Sequence, residues 1–225
     1  MAHAWVQRYQ GVHYPFFNDI ARPSLKSLCM IPSIRAQGII PPFIGADPTF
    51  PPDMSPYLAT MPEFVTRFAV SNARRDILVG LLDYRQELAA RGFQGFQWLS
   101  GSFVEDIESL ENRHPRDVDV VSFVTRPIDL AQDDALDAFL NSTAGYRLFD
   151  AATTKAAFHC DAYLVDLNEP SELIVDNTRY WTGLFSHQRS TYLWKGMIAV
   201  EIDLQHDAVA RSIIQAAANS TSLQP

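Results

Sequence analysis

The chain has 225 residues, 26 Asp and Glu against 18 Lys and Arg, a formal net charge of −8, 47% apolar residues and 20% charged ones. A globular composition of this length typically buries roughly 70% of its unfolded surface, so disorder throughout is excluded. The acidic balance excludes coating of nucleic acid or anionic membrane through bulk charge, because both partners are polyanions. Two cysteines, Cys29 and Cys160, are too few for a disulfide framework. With no apolar leader and no bilayer-length apolar run in the sequence, the expected address is the cytoplasm.

Ten of the 14 prolines fall within residues 1–62. Proline fixes φ and lacks a donor, so residues 1–60 are expected to be an extended, turning arm and not helical or sheet-forming. Trp5, Phe16, Phe17, Ile39, Ile40, Phe43, Phe50 and Tyr57 are interleaved there, which implies that the arm packs on its own domain or on a second subunit. Residues 61–225 then form the main domain. Thr60-Met61-Pro62-Glu63 reads as a capping box opening a short helix through Phe64, Val65 and Phe68. Ser71 caps a longer helix striped by Ile77, Leu78, Leu81, Leu82 and Leu88, and Gly92 ends it. Strands are expected at Phe96–Leu99, Val118–Val124, Phe158–Val165 and Met197–Ile202. Helices are expected at about Asp134–Asn141 and Asp207–Ala218, the last with Val209, Ile213 and Ala217 on one side, and helical or irregular structure at about Glu172–Phe185. This order, without a strict βαβ rhythm, predicts an α+β (mixed α/β) fold, a mixed sheet flanked by helices.

The chemistry gathers in Trp98–Val124. Gly101-Ser102 follows the first strand and precedes a short helix. Glycine there lets backbone approach a ligand, and free N–H groups of such a turn suit phosphate oxygens; a plain tight turn would use the same pair. Asp117-Val118-Asp119 opens the second strand. Side chains alternate, so Asp117 and Asp119 share a face with Val121 while Val118 and Val120 enter the core. Two carboxylates about 7 Å apart supply the oxygen donors that hard divalent cations prefer, although a solvated strand end also reads this way. On the third strand Phe158, Cys160, Ala162 and Leu164 make the apolar face, leaving Asp161 with His159 and Tyr163 on the other. If the two strands are neighbours, three carboxylates converge.

Taken together, Gly101-Ser102, a gap from Phe103 to Arg116, Asp117 and Asp119 on a strand, and Asp161 on a later strand resemble the nucleotidyltransferase superfamily, the polymerase-beta-like fold. More narrowly, the chain is similar to a group of small prokaryotic proteins of unknown function. That resemblance is carried by Ile40-Pro41-Pro42-Phe43, Ser55-Pro56-Tyr57, Gly95 to Leu99 and Lys195-Gly196, over about residues 38–202. It implies that Asp117, Asp119 and Asp161 hold magnesium (or manganese), Asp161 also helping to activate the acceptor hydroxyl. It further implies that Gly101 and Ser102 cradle the β,γ-phosphates of a nucleoside triphosphate. The implied reaction is attack of a protein or RNA hydroxyl on the α-phosphate with release of pyrophosphate, in a toxin–antitoxin or phage-defence setting. A homo-oligomer or a cognate partner protein would suit such a setting.

Two departures stand out. Glu105 and Asp106 follow the Gly-Ser step and would repel a triphosphate if they faced it, and only about 60 residues follow Val165 for recognising a base. Arg116 and Lys195 are the candidate phosphate-binding cations, with Arg113, Lys155 and Arg74 or Arg75 as further basic residues near the pattern. His114 lacks a recognisable partner and reads as surface; Cys160 reads as core, not as a nucleophile. The competing readings are a catalytically degenerate module that binds nucleotide or a partner protein, and a phosphatase or glycosyltransferase using Asp-x-Asp. The hydrolase form wants Thr or Gly soon after the second acid, where this chain has Val120-Val121.

Overall fold

The computed structural model describes residues 31–45 and 53–221. Five strands, β1 (Tyr57–Ala59), β2 (Gln94–Ser100), β3 (Val118–Thr125), β4 (Cys160–Asp166) and β5 (Ile198–Glu201), form one mixed sheet of order β1-β5-β2-β3-β4. β1 with β5 and β3 with β4 pair parallel, whereas β2 runs antiparallel to both neighbours. Eight helices accompany the sheet among the described residues: α1 (Met61–Phe68), α2 (Asn72–Ala90), α3 (Ile107–Glu111), α4 (Asp133–Leu140), α5 (Thr143–Phe149), α6 (Ala151–Phe158), α7 (Ser171–Phe185) and α8 (Leu204–Thr221). The expected α+β class is the observed one.

Local signals explain the helix starts. The Thr60 side chain accepts from the Glu63 amide while the Glu63 carboxylate accepts from the Thr60 amide, a complete capping box, and Ser71 accepts from the Arg74 amide. Caps of this kind are worth about 1 kcal/mol each. Helices α5 and α6 lie in a stretch where no element was expected, although Ser142 and Asp150 cap them through the Gly145 and Thr153 amides.

Alternation then divides the sheet into two buried faces. Val118, Val120, Cys160, Ala162, Leu99 and Ile198 join the large core with residues of α1, α2, α6 and α8. Val121, Phe123, Val165, Trp98 and Ala199 face the other way, onto Trp181 and Phe185 of α7. Cys160 is fully buried in the first layer, as expected of a core residue, and burial holds its thiol well above the ordinary value.

Three expectations need correcting. The arm does form sheet: after Pro56, Tyr57–Ala59 adds an edge strand to β5, where proline has already passed and the amides are free to pair. The strand expected from Phe158 starts at Cys160, because α6 runs to Phe158 and His159 closes it in the left-handed conformation, φ 55°. His159 is therefore an exposed helix cap and not a neighbour of Asp161 on the strand. Helix α8 buries Asp207, Ala210 and Ile214, leaving Val209 exposed. Its rotation follows from an ion pair that hydropathy does not register: Asp207 meets the fully buried Arg85 of α2.

The arm is tied to the core at the motifs that carried the narrower resemblance. The Tyr57 hydroxyl donates to the Pro41 carbonyl at 2.8 Å, the Gly196 amide donates to the Ile40 carbonyl at 2.8 Å, and the Met197 amide donates to Ser55 Oγ at 2.8 Å. Burial pushes the Tyr57 phenol up to about 12. A Cβ on Gly196 would come within 2.6 Å of the Pro41 carbonyl oxygen, so only glycine permits this approach. Residues 40–43, 55–57 and 195–196 thus form one brace at the start of β5. Cys29, Trp5, Phe16, Phe17 and Phe50 lie outside the described residues.

Candidate functional site

Strand β2 ends where β3 and β4 begin, and all the acidic residues singled out above stand at that end of the sheet. Gly101–Val104 turns in a single 3₁₀ step directly after Ser100. Gly101 has φ +77°, and a Cβ there would lie 2.0 Å from Asp119 Oδ2. The turn therefore sits against the carboxylate, a contact that any side chain would block.

Buried charges hold the turn from behind. Arg74 donates to the Phe103 and Glu105 carbonyls, each at 2.7 Å, and grips the Glu108 carboxylate with two bonds of 2.8 Å. That grip holds the Glu108 carboxyl down at about 2. Lys195 donates to the Gly101 carbonyl at 3.0 Å and pairs with Glu105, whose other oxygen accepts from Gln188 Nε2 at 2.8 Å. Glu105 and Lys195 are both buried. Lys195 is thus engaged with protein groups and anchors the Gly-Ser turn from the wall of the cleft. Glu105 is paired with Lys195, which offsets its charge, and Asp106 caps α3 through the Ser109 amide and is not among the residues lining the cleft. Arg74 is used up in the clamp, and Arg75 hydrogen-bonds to the Ala69 carbonyl and Asn72 side chain away from the site.

The carboxylates face one cleft. Asp119 and Asp161 are register partners on the parallel strands β3 and β4, about 4.8 Å apart along the hydrogen-bonding direction. Asp117 precedes Asp119 by two residues on the same face. Lys155, near the end of α6, lies 2.7 Å from Asp161 Oδ2 and 3.6 Å from Asp117 Oδ2, so those two oxygens are no farther apart than the two distances combined. Burial, with repulsion from Asp117 and Asp161, pushes the Asp119 carboxyl up to about 6 despite Lys195 and Arg189. Pairing with Asp161 raises Lys155, and burial with the neighbouring Asp161 carboxylate pushes Tyr163 up to about 12.

Asp161 is 8% exposed, and its Oδ1 has no hydrogen-bond partner. A buried carboxylate oxygen without a donor is costly and implies a partner of opposite character. Three hard oxygen donors, one of them unpartnered and one holding its proton unusually tightly, suit a divalent cation such as magnesium or manganese. Among the described residues no three acidic, His or Cys side chains converge closely enough to ligate one ion as they stand. A lysine ammonium reaches two of the three carboxylates.

The cleft has a volume of about 520 Å³. Every residue expected at the site lines it: Asp117, Asp119, Asp161, Gly101, Ser102, Arg116 and Lys195. Asp166, the other acid of β4, is at its far end bound to Arg126. Arg113 lines the cleft but pairs with Glu111, and the exposed His114 meets Glu108 at 3.3 Å. The loop between α7 and β5 adds Arg189, which sequence reading passed over. Its one signal was a second cation just before Lys195. Arg116 and Arg189 are exposed and make no ion pair or hydrogen bond among the described residues, so both guanidinium groups are available to an anion.

The family of unknown function DUF6932 matches residues 32–201, which span all five strands and the whole cleft. The chain belongs to DUF6932. Helix α8 falls outside the matched stretch, although it packs on the family core through Asp207. The resemblance to a group of proteins of unknown function is met at this level, and the matched stretch contains residues 40–43, 55–57 and 195–196 of the brace. No curated protein and no solved structure matches the chain. Among the described residues, no helix is long and apolar enough to cross a membrane.

Proposed function

We propose that the chain is a metal-dependent nucleotidyltransferase acting on a nucleoside triphosphate. The observation that carries this reading is the register of Asp119 beside Asp161, with Asp117 on the same face and the Gly101 turn touching Asp119. Asp117, Asp119 and Asp161 would hold magnesium or manganese, which when bound supplies charge neutralisation at the phosphates and at the attacking oxygen. Amides of the Gly101-Ser102 turn and the Ser102 hydroxyl bind the terminal phosphates, and Arg116 and Arg189 offer guanidinium groups to them. The acceptor, a hydroxyl of protein or RNA, forms the new bond from its oxygen to the α-phosphorus. The bond from that phosphorus to the bridging oxygen breaks, and pyrophosphate leaves with the electron pair. The hydroxyl proton passes to a carboxylate of the cluster. A net charge of −8 is no obstacle when the acids are gathered where cations offset them.

The test is transfer of label from α-labelled triphosphate to cellular protein or RNA with magnesium or manganese present. Wild type is expected to give a labelled product, and Asp119→Asn or Asp117→Asn to lower its yield by at least about a hundredfold. Wild type giving no label with any triphosphate would remove the catalytic reading.

One observation favours a second reading, a degenerate module that binds nucleotide or a partner protein without turnover. Lys155 already neutralises part of the carboxylate cluster. Calorimetry showing triphosphate binding without label transfer would support it.

A further inference from the structure

We infer that Lys155 is a built-in counter-cation, which balances the carboxylate site in the metal-free protein and is displaced when a divalent ion loads. The inference rests on the metal-binding reading above and adds a regulatory element to that site.

The geometry is specific. Lys155 Nζ contacts Asp161 Oδ2 at 2.7 Å and reaches Asp117 Oδ2 at 3.6 Å, bridging acids from two strands. Only one oxygen of Asp161 is used. Oδ1, on a residue 8% exposed, has no partner and remains as a donor for an ion. Lys155 belongs to α6, outside the sheet, and its side chain is 44% exposed. It can therefore swing into solvent without opening the core, a movement that Lys195, buried against Glu105 and Gly101, cannot make. The ammonium and an incoming dication compete for the same Asp117 and Asp161 oxygens. Metal binding is then weaker than the three carboxylates alone would give, and the protein tolerates metal scarcity without three adjacent bare acids.

The experiment is titration of Mn²⁺ into wild type, Lys155→Gln, Lys155→Arg and Asp119→Asn by calorimetry, with circular dichroism confirming that each variant is folded. The expected result is that Lys155→Gln binds Mn²⁺ about tenfold more tightly than wild type, since one opposing charge is gone. Lys155→Arg, which keeps the charge, should stay within about threefold of wild type, and Asp119→Asn should lose the site. Equal affinity in wild type and Lys155→Gln, with binding lost in Asp119→Asn, would overturn the role of Lys155 and leave the metal reading standing. No Mn²⁺ binding in either wild type or Lys155→Gln, or binding unchanged by Asp119→Asn, would overturn the metal reading and the counter-cation with it.

Discussion

Asp207→Ala is expected to destabilise the protein by about 3–5 kcal/mol, because it strands a buried guanidinium. Arg85 is fully buried in α2, and its Nε donates to both Asp207 oxygens at 2.9 and 3.0 Å. The remaining donors reach Gln97 Oε1 at 2.8 Å and the Glu201 carbonyl at 2.6 Å. Gln97 in turn donates to Ser122 Oγ at 2.9 Å, so one cation links α2, β2, β3, β5 and α8. Removing the carboxylate leaves the charge in place with no solvent to receive it. Urea unfolding followed by circular dichroism measures the effect, and Arg85→Met combined with Asp207→Leu should recover part of the loss. A cost below about 1 kcal/mol for Asp207→Ala would mean that apolar packing alone holds α8 in place.

Gly101→Ala should damage the site about as much as losing one of its carboxylates while leaving the fold standing. The new Cβ would lie 2.0 Å from Asp119 Oδ2, and φ of +77° is one that alanine adopts only with strain. Either the turn or Asp119 must move by an ångström or more. A displacement of that size costs on the order of a hundredfold in rate when positioning supplies the catalysis. The backbone penalty is only about 1–2 kcal/mol. Label transfer compared with thermal unfolding separates the two effects: activity should fall about a hundredfold while the protein remains folded. Near wild-type transfer by Gly101→Ala would show that the contact between the turn and Asp119 has no part in the reaction.

Much of the site was legible because alternation is a hard constraint. Once Asp117-Val118-Asp119 and Cys160-Asp161-Ala162 are strands, their acids must face away from the buried Val118, Val120, Cys160 and Ala162. Parallel pairing of β3 with β4 then decides that Asp119 meets Asp161. That pairing is non-local and has no signature in either segment. The same limit hid the pairing of Lys195 with Glu105. They are 90 residues apart, and only the fold brings them into one buried pair. Lys155 was visible as a cation ahead of the third strand, yet its reach to two carboxylates depends on α6, a helix hidden by weak amphipathicity and marked only by the Asp150 cap. His159 was misplaced because a left-handed helix cap is rare outside glycine and asparagine. The rotation of α8 escaped hydropathy because its deepest anchor is an aspartate.

The most direct test of the central claim, that the three carboxylates and the Gly101-Ser102 turn form one metal and triphosphate site, is anomalous diffraction from crystals soaked with Mn²⁺ and a non-hydrolysable nucleoside triphosphate. The expected result is manganese density bound by Asp119 and Asp161, with the terminal phosphates on the Gly101-Ser102 amides and Lys155 withdrawn from Asp161. Ordered triphosphate elsewhere on the protein, with Lys155 still seated on Asp161 and no manganese at the cluster, would contradict it.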